Sequence, residues 1–506
     1  MVRLSRHGGM RDPDHSRNTS RILERSMPKP NRPLLRVLLG ASALAAPQLA
    51  GAQTMKEADL AARLERMESE ITQLRTELAA ARSQQDETRA AAADATRKSQ
   101  EASAQMSRLA DGTPRLGFRS GNSNVVLSGY VKLLASSARY SGGDDPSNTL
   151  GRDLYLPQSI PVFNPASPTS PTHVTDFSAK QTRFWVDATT KLGKHALKAY
   201  IEFDFQAAPG TPQALGQGTQ RTTNAYDLAM RRAFIQLDRW TFGQDFTNFS
   251  NPAIFPESTD YVGGVDGLIF VRQPMVRYSL PLGHGLAFHL AAENPETASA
   301  TAGAPALVEN GEDHAPDITG RLEYAGGFGF LDLAVLGRQL RVDNAKTGAA
   351  HIVDSRLGWG ISAAGKIFLD DRHGSDIRFQ ASYGEGIGRY LGLNFGPDAV
   401  LQANGELARV RNLALFGAGR YALDDQWRVN LIASYQRIFY ADDLDPATTS
   451  GIAMFNRQAW SVAGNLFYSP VKNVDLGIEY RHGERRLVND LNGHVDRFDV
   501  AAKYNF

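Results

Sequence analysis

Val495-Asp496-Arg497-Phe498-Asp499-Val500-Ala501-Ala502-Lys503-Tyr504-Asn505-Phe506 closes the chain. Apolar and polar side chains alternate to the last residue. Phe498, Val500, Ala502, Tyr504 and Phe506 share one face, and Arg497, Asp499, Lys503 and Asn505 share the other. A period of two is a strand. One apolar face, one charged face and an aromatic end suit a wall that stands between lipid and water. The same segment would also serve in a soluble sandwich, so the rest of the chain must decide.

From Asn124 onward the pattern repeats in sixteen segments: 124–140, 178–192, 195–207, 226–238, 240–246, 267–280, 284–294, 316–325, 328–343, 351–369, 373–387, 404–422, 426–440, 452–468, 472–487 and 494–506. The connections are of two kinds. After the even segments they are tight, as at Gly193-Lys194, Asp238-Arg239 and Gly326-Gly327. After the odd ones most are long: 141–177, 208–225, 247–266, 295–315 and 388–403. Short turns at one end and long loops at the other are the habit of a transmembrane barrel. The reading is therefore an all-β membrane protein, a sixteen-stranded antiparallel barrel over 113–506, with both chain ends on the short-turn side. The fifth and eighth segments are short, so fourteen and eighteen strands stay open.

The faces have matching chemistry. Segment 195–207 sets Leu197, Ala199, Ile201, Phe203 and Phe205 against Lys198, Glu202, Asp204 and Gln206. Trp427, Trp460 and Tyr468 sit where interfacial girdles belong. Mean hydropathy is −0.33, too polar for a helical membrane protein and normal where only alternate residues meet lipid. There is no cysteine, hence no disulfide or thiolate metal site.

The N-terminus reads as a secretory leader over 1–52. Lys29, Arg32 and Arg36 precede the apolar stretch Leu34–Leu49, and Ala50-Gly51-Ala52 is a small-x-small cleavage site. Met27 is a plausible true start. A membrane-anchor helix is the other reading of this stretch, and its apolar run is short for one. Residues 1–52 carry nine Lys and Arg against three Asp and Glu, so with the whole chain at +1 the part from Gln53 is about −5. That balance argues against a nucleic-acid partner.

Residues 53–112 differ from the barrel. Between 55 and 110 there is no Pro, Gly or aromatic residue. Leu60, Leu64, Met67, Ile71, Leu74 and Leu78 recur at four-then-three spacing, a heptad seam. One helix cannot bury such a seam alone, so the segment predicts self-association, or else packing of a single amphipathic helix on the barrel mouth. Asp111-Gly112-Thr113-Pro114 ends it.

These features resemble the DcaP-like porins of Gram-negative outer membranes. The resemblance is carried by Ser128-Gly129-Tyr130-Val131-Lys132, by Phe242-Gly243-Gln244-Asp245 running into Pro256-Glu257-Ser258-Thr259-Asp260, and by Phe270-Val271-Arg272-Gln273-Pro274 with Arg277-Tyr278. It implies a homotrimeric barrel in the outer membrane, a periplasmic coil, and contact with lipid and lipopolysaccharide. It also implies that the barrel-assembly machinery reads Phe506. The loop 247–266 would fold inward and narrow the pore, and the solutes would be small anions such as dicarboxylates.

Alternation alone places Arg183, Arg232, Arg277, Arg338 and Arg481 inward near mid-height, with Asp187, Glu202, Asp204, Asp332 and Glu479 on the same wall. The loop adds Glu257 and Asp260 and brings Asp266 near. Arginine at a narrow point attracts carboxylates and grips them with two bonds. The competing reading is that these acids and bases neutralise one another and only pin the loop.

Enzyme readings find little. The histidines are scattered, and there is no G-x-S-x-G and no Walker loop. Gly384-Glu385-Gly386-Ile387-Gly388 leads into a loop instead of a helix. Asp424-Asp425, Asp442, Asp443 and Asp445 are solvated loop acids or cation ligands. No cofactor is expected. Two functions remain: a passive channel for small hydrophilic solutes, and a tether that uses the coil to bind cell wall or partner proteins.

Overall fold

The computed structural model describes residues 68–69, 71–76 and 116–506, apart from 147–149, 167, 207–225, 302, 344–350, 442–443 and 445. Two units divide at Ser103. In the first, the described residues are helical, with Ile71 and Leu74 exposed. The seam positions Leu60, Leu64, Met67 and Leu78, the leader, and Asp442, Asp443 and Asp445 lie outside the described residues.

The second unit is the barrel. Eighteen strand segments join in one antiparallel sheet. Two are halves of one kinked strand and one is a short edge piece, Gly117–Ser120, which leaves sixteen. In chain order they are β1 (Ser123–Tyr140), β2 (Thr172–Ser178 continuing as Arg183–Leu192), β3 (His195–Asp204), β4 (Ala229–Leu237), β5 (Trp240–Phe246), β6 (Arg272–Gly283), β7 (Leu286–Glu293) and β8 (Asp317–Gly326). Then come β9 (Gly329–Asp343), β10 (Val353–Phe368), β11 (Asp376–Glu385), β12 (Arg411–Ala422), β13 (Trp427–Phe439), β14 (Asn456–Tyr468), β15 (Val474–Leu487) and β16 (Asn492–Asn505).

Each strand pairs with the next, and β16 closes on β1 from Tyr130↔Asn505 to Tyr140↔Val495. Closure leaves no strand edge unpaired in the wall, which hydrocarbon demands. The terminal segment keeps the expected sides. Phe498 and Val500 are 47% and 44% exposed on the outer surface, and Arg497 and Asp499 are buried within. Phe506 and Gly129 exchange both backbone hydrogen bonds, at 2.9 and 3.1 Å. Gly117–Ser120 pairs with the lower part of β1, and the Leu127 amide donates to the Leu116 carbonyl at 2.7 Å. Chain end and barrel entry thus share one strand slot beside β1. Among the described residues no helix is long and apolar enough to cross a membrane.

The turns of the short end are tight. Asp238, at φ +52°, takes the left-handed conformation the β4–β5 turn needs. Its carboxylate accepts from the Ala196 amide at 2.9 Å and lies 2.7 Å from the His195 ring. The His195 contact, then the amide, hold that carboxyl below its usual range.

The opposite end carries folded loops that alternation did not foretell. Ala298–Thr301 and Ala304–Glu309 form a hairpin between β7 and β8, and Ala399–Leu401 and Leu407–Arg409 form another between β11 and β12. The two hairpins pair in parallel, Ser299 beside Ala399, as a separate four-stranded sheet. Inside the barrel, the β1–β2 loop (L1), the β5–β6 loop (L3) and the β11–β12 loop bring apolar side chains against the wall. Leu154, Tyr155, Leu156 and Ile160 of L1 pack with Val262, Val265 and Leu268 of L3 and with Phe416 and Ile432 of the wall. Phe249 and Ile269 pack with Ile387, Tyr390 and Leu391. A sixteen-stranded barrel leaves room for water; here folded loops take up much of that section.

Candidate pore constriction

L3 runs from Thr247 to Val271, slightly longer than the 247–266 read from the sequence, because β6 begins at Arg272. It crosses the lumen and is fixed at both sides. On the near side the Asn248 amide donates to Glu293 at 2.8 Å, Asn251 Nδ2 donates to Glu323 at 2.8 Å, and Arg321 donates to the Ser250 carbonyl at 3.0 Å. On the far side Glu257 pairs with Arg428 of β13 at 2.6 Å and Arg420 of β12 at 3.5 Å. Glu479 of β15 accepts from Ser258 Oγ at 2.7 Å and the Thr259 amide at 3.0 Å. Asp266 accepts from Ser434 at 2.6 Å and Ser461 at 2.9 Å. Burial pushes the Asp266 carboxyl up, opposed by the Ser434 hydroxyl and then Arg481. Gly267 lies so close to β12 that a Cβ there would meet the Leu415 carbonyl at 2.1 Å.

L1 lies beside L3. The Tyr155 amide donates to both oxygens of Asp260 at 3.3 Å. The Tyr155 ring stacks 5.1 Å from the Arg481 guanidinium. Gly483 of β15 makes this possible: a Cβ there would meet the Tyr155 ring at 2.5 Å. Gly483→Val is therefore expected to overpack the seat of L1 by about 1–3 kcal/mol. Single-channel conductance should rise as L1 leaves the lumen. Unchanged conductance would place L1 outside the conducting path.

The arginines marked by alternation divide into two groups. Arg338 and Arg481 are fully buried under the loops and do not face open lumen. Arg338 lies 3.3 Å from Asp317 and 3.1 Å from Asp398. Arg481 pairs with Glu479 at 2.8 Å. In the β11–β12 loop, burial pushes the Asp398 carboxyl up while Arg338 draws it down.

Arg183, Arg232 and Arg277 are half-buried and come together with residues that alternation missed. Arg183 pairs with Glu202 at 3.0 Å and Asp204 at 2.8 Å. Pairing of β3 with β4 shifts register between Glu202↔Arg232 and Phe203↔Met230. Arg231 is the extra residue of this bulge. It points inward next to Arg232 and pairs with Asp204 at 2.7 Å. L3 contributes Tyr261, whose hydroxyl donates to Asp204 at 2.8 Å and whose ring lies 5.0 Å from Arg183 and 5.6 Å from Arg231. Arg272 stacks 4.5 Å from Phe246 and 4.7 Å from Phe270, with no carboxylate at ion-pair distance among the described residues.

A cavity of about 250 Å³ opens on this wall. Arg232, Arg277, Arg321 and Asp245 line it. Asp245 serves two of them, Arg232 at 2.6 Å and Arg277 at 2.9 Å. Arg321 has Glu323 only at 3.9 Å. Glu202, 3.5 Å from Arg232, lies outside the lining. The lining itself holds three guanidinium groups and one carboxylate, a cationic surface whose field low-dielectric walls strengthen. Glu257 and Asp260 do not offset it there, because Arg428, Arg420 and the Tyr155 amide engage them.

Among the described residues no group of three His, Asp or Glu could hold a metal ion. Asp424 is a turn acid whose carboxylate accepts from the Gln426 and Trp427 amides at 2.8 and 2.7 Å.

A closed barrel with short turns at one end, long loops at the other and an inward-folded constriction defines a porin-type channel of the outer membrane. The profile described as DcaP outer membrane protein matches residues 156–506, and the chain belongs to that family. Among solved structures, the outer membrane channel DcaP of Acinetobacter baumannii is 23% identical, with a TM-score of 0.58 over 77% of this chain and 99% of that one. At that identity the likeness shows the fold. An anion-selective porin from Comamonas acidovorans is 11% identical, with a TM-score of 0.46 over 76% of this chain and all of that one. OmpT of Vibrio cholerae is 11% identical, with a TM-score of 0.45 over 77% of this chain and all of that one. No curated protein matches the chain.

Proposed function

We propose that this protein is a passive diffusion channel that favours small anions, carboxylates among them, and works as a homotrimer with its N-terminal coil in the periplasm. One observation carries the anion preference: Arg232, Arg277 and Arg321 share a lumen cavity with Asp245 while the acids of L3 are engaged elsewhere. An anion there replaces water by fixed guanidinium donors, and a cation meets like charge.

The trimer has support on the outer wall. His173, His482, His494 and Asp496 lie on the outward side of β2, β15 and β16. Tyr480 and His482 both lie within hydrogen-bond distance of Asp496, at 2.7 and 2.8 Å. Hydrocarbon penalises such groups, and a second copy of this chain would cover them. Lipopolysaccharide and the assembly machinery that would bind Phe506 complete the partners of this reading.

The test is the reversal potential of the purified oligomer in planar bilayers under a potassium chloride gradient. Anion preference is the expected result, and cation preference would reject the reading. The tether remains a second reading because Ile71 and Leu74 are exposed on the described part of the helix. Deleting residues 55–110 separates the two. Steady conductance of the truncated protein supports the channel. A closed barrel, with envelope defects in cells that carry the deletion, supports the tether.

A further inference from the structure

Beneath the L3 stretch that includes Pro256 and Tyr261, a second cavity of about 200 Å³ lies against β1 and β16. Its wall holds an unusual pair. Lys132 and Lys503 are direct cross-strand partners and both line the cavity. Like charges facing each other weaken a sheet, so the pair needs a reason.

The two ammonium groups are compensated unequally. Lys503 has Asp475 at 3.3 Å. Lys132 is buried, and its Nζ donates to Gln181 Oε1 and to the Thr259 carbonyl, each at 2.6 Å. Both acceptors are neutral, and among the described residues no carboxylate lies within ion-pair distance of Lys132. An ammonium has three N–H groups, so one is left over. Two further polar atoms at the same cavity lack partners. Gln181 is 2% exposed and Thr259 0% exposed, and neither Gln181 Nε2 nor Thr259 Oγ1 has a hydrogen-bond partner. Buried donors of this kind cost stability unless something accepts from them.

The local fold serves this arrangement. β2 breaks between Ser178 and Arg183, where the Thr182 amide donates to the Ala179 carbonyl at 3.0 Å. Thr182 Oγ1 then accepts from the Lys132 amide at 3.1 Å. The kink ties β2 to β1 beside Lys132 and puts Gln181 on its ammonium. Two of the cavity's acids are committed elsewhere, Glu257 to Arg428 at 2.6 Å and Asp260 to the Tyr155 amide, and the third, Asp475, is shared between Arg428 at 2.9 Å and Lys503 at 3.3 Å.

We propose that this cavity binds one small oxyanion, held by Lys132 Nζ, Gln181 Nε2 and Thr259 Oγ1, with Lys503 supplying the second positive charge. A water molecule's share of liquid volume is about 30 Å³, so the space takes a phosphate-sized group with some of its water. The site lies under L3, against the Lys132↔Lys503 pair of β1 and β16. A solute that has passed the arginine cavity would meet a second resting place before leaving. The proposal rests on the channel reading for access only.

The probe is inorganic phosphate, added on the short-turn side of bilayers that hold the purified full-length protein, with current carried by chloride. Phosphate should reduce the current in a saturable way. In Lys132→Met and in Gln181→Leu the half-blocking concentration should rise about tenfold or more, the usual worth of a charge-assisted hydrogen bond. A half-blocking concentration that stays at the wild-type value in either variant, or no block of the wild type, overturns the site. The chloride-to-potassium permeability ratio, read in the same bilayers, keeps the two proposals apart. A cation-preferring channel whose phosphate block vanishes in Lys132→Met rejects the anion reading and keeps the site. If Lys132→Met fails to assemble, Gln181→Leu, which keeps every charge, decides.

Discussion

Changing Arg232 and Arg277 together to alanine is expected to abolish anion preference, with the chloride-to-potassium permeability ratio falling several-fold to about one or below. Both side chains line the 250 Å³ cavity, and both bond to Asp245. Without them Asp245 has no ion-pair partner, and Arg321 is the one guanidinium left in the cavity lining to oppose it. The local charge therefore moves from an excess of cations to rough balance. Asp245→Asn should act in the opposite direction and raise the ratio. Reversal potentials of the three proteins under one salt gradient make the check. If the double variant keeps the wild-type ratio, selectivity lies outside this cavity. Because Arg232 and Arg277 sit on adjoining parts of the wall and pair with one acid, assembly should be confirmed by heat-modifiable migration on gels.

Arg338→Met is expected to be the most damaging single change for stability. It leaves Asp317 and Asp398, both fully buried, without the guanidinium that bridges them. Breaking a buried ion network from one side costs about 3–5 kcal/mol. Arg389, 3.2 Å from Asp317, recovers only part of it. The loss should concentrate where the network sits, at the foot of the four-stranded sheet made by the two long loops. Arg338 also donates to the Glu296 and Gly386 carbonyls, one from each loop. Limited proteolysis should cut the variant in 294–316 and 386–410 while the barrel stays intact. Protease resistance equal to wild type would show that the loops hold without this residue.

The strands were plain in the sequence because their periodicity is physical. Each wall residue faces either lipid or lumen, and a slip of one residue reverses every choice. Alternation predicts β5 at 240–246, which is its observed range, and most other strand ends differ by a few residues. The loops were not plain. Ser299 and Ala399 are joined by a parallel ladder across two separate loops, and a pairing of that separation leaves no local pattern. Alternation gave the inward direction of Arg338 and Arg481 but could not say that folded loops would cover them. A signal for that existed in the glycines. Gly483 and Gly493 are inward strand positions where a Cβ would strike Tyr155 and the Pro161 carbonyl; glycine inside a strand often marks such a close approach. Arg231 was missed for a different reason, since strict alternation assigns it to lipid and only the bulge turns it inward.

That bulge has a consequence for how such a pore can change. A strand must alternate, so substitution offers a compartment only every second position. One inserted residue evades this limit: two neighbouring cations, Arg231 and Arg232, face the same water-filled side, while Met230 and Ile235 still meet lipid. Loss of that one codon would return β4 to ordinary pairing and remove one positive charge from the conduit. Length variation at this spot is thus a dial for permeant choice that leaves the lipid-facing surface untouched.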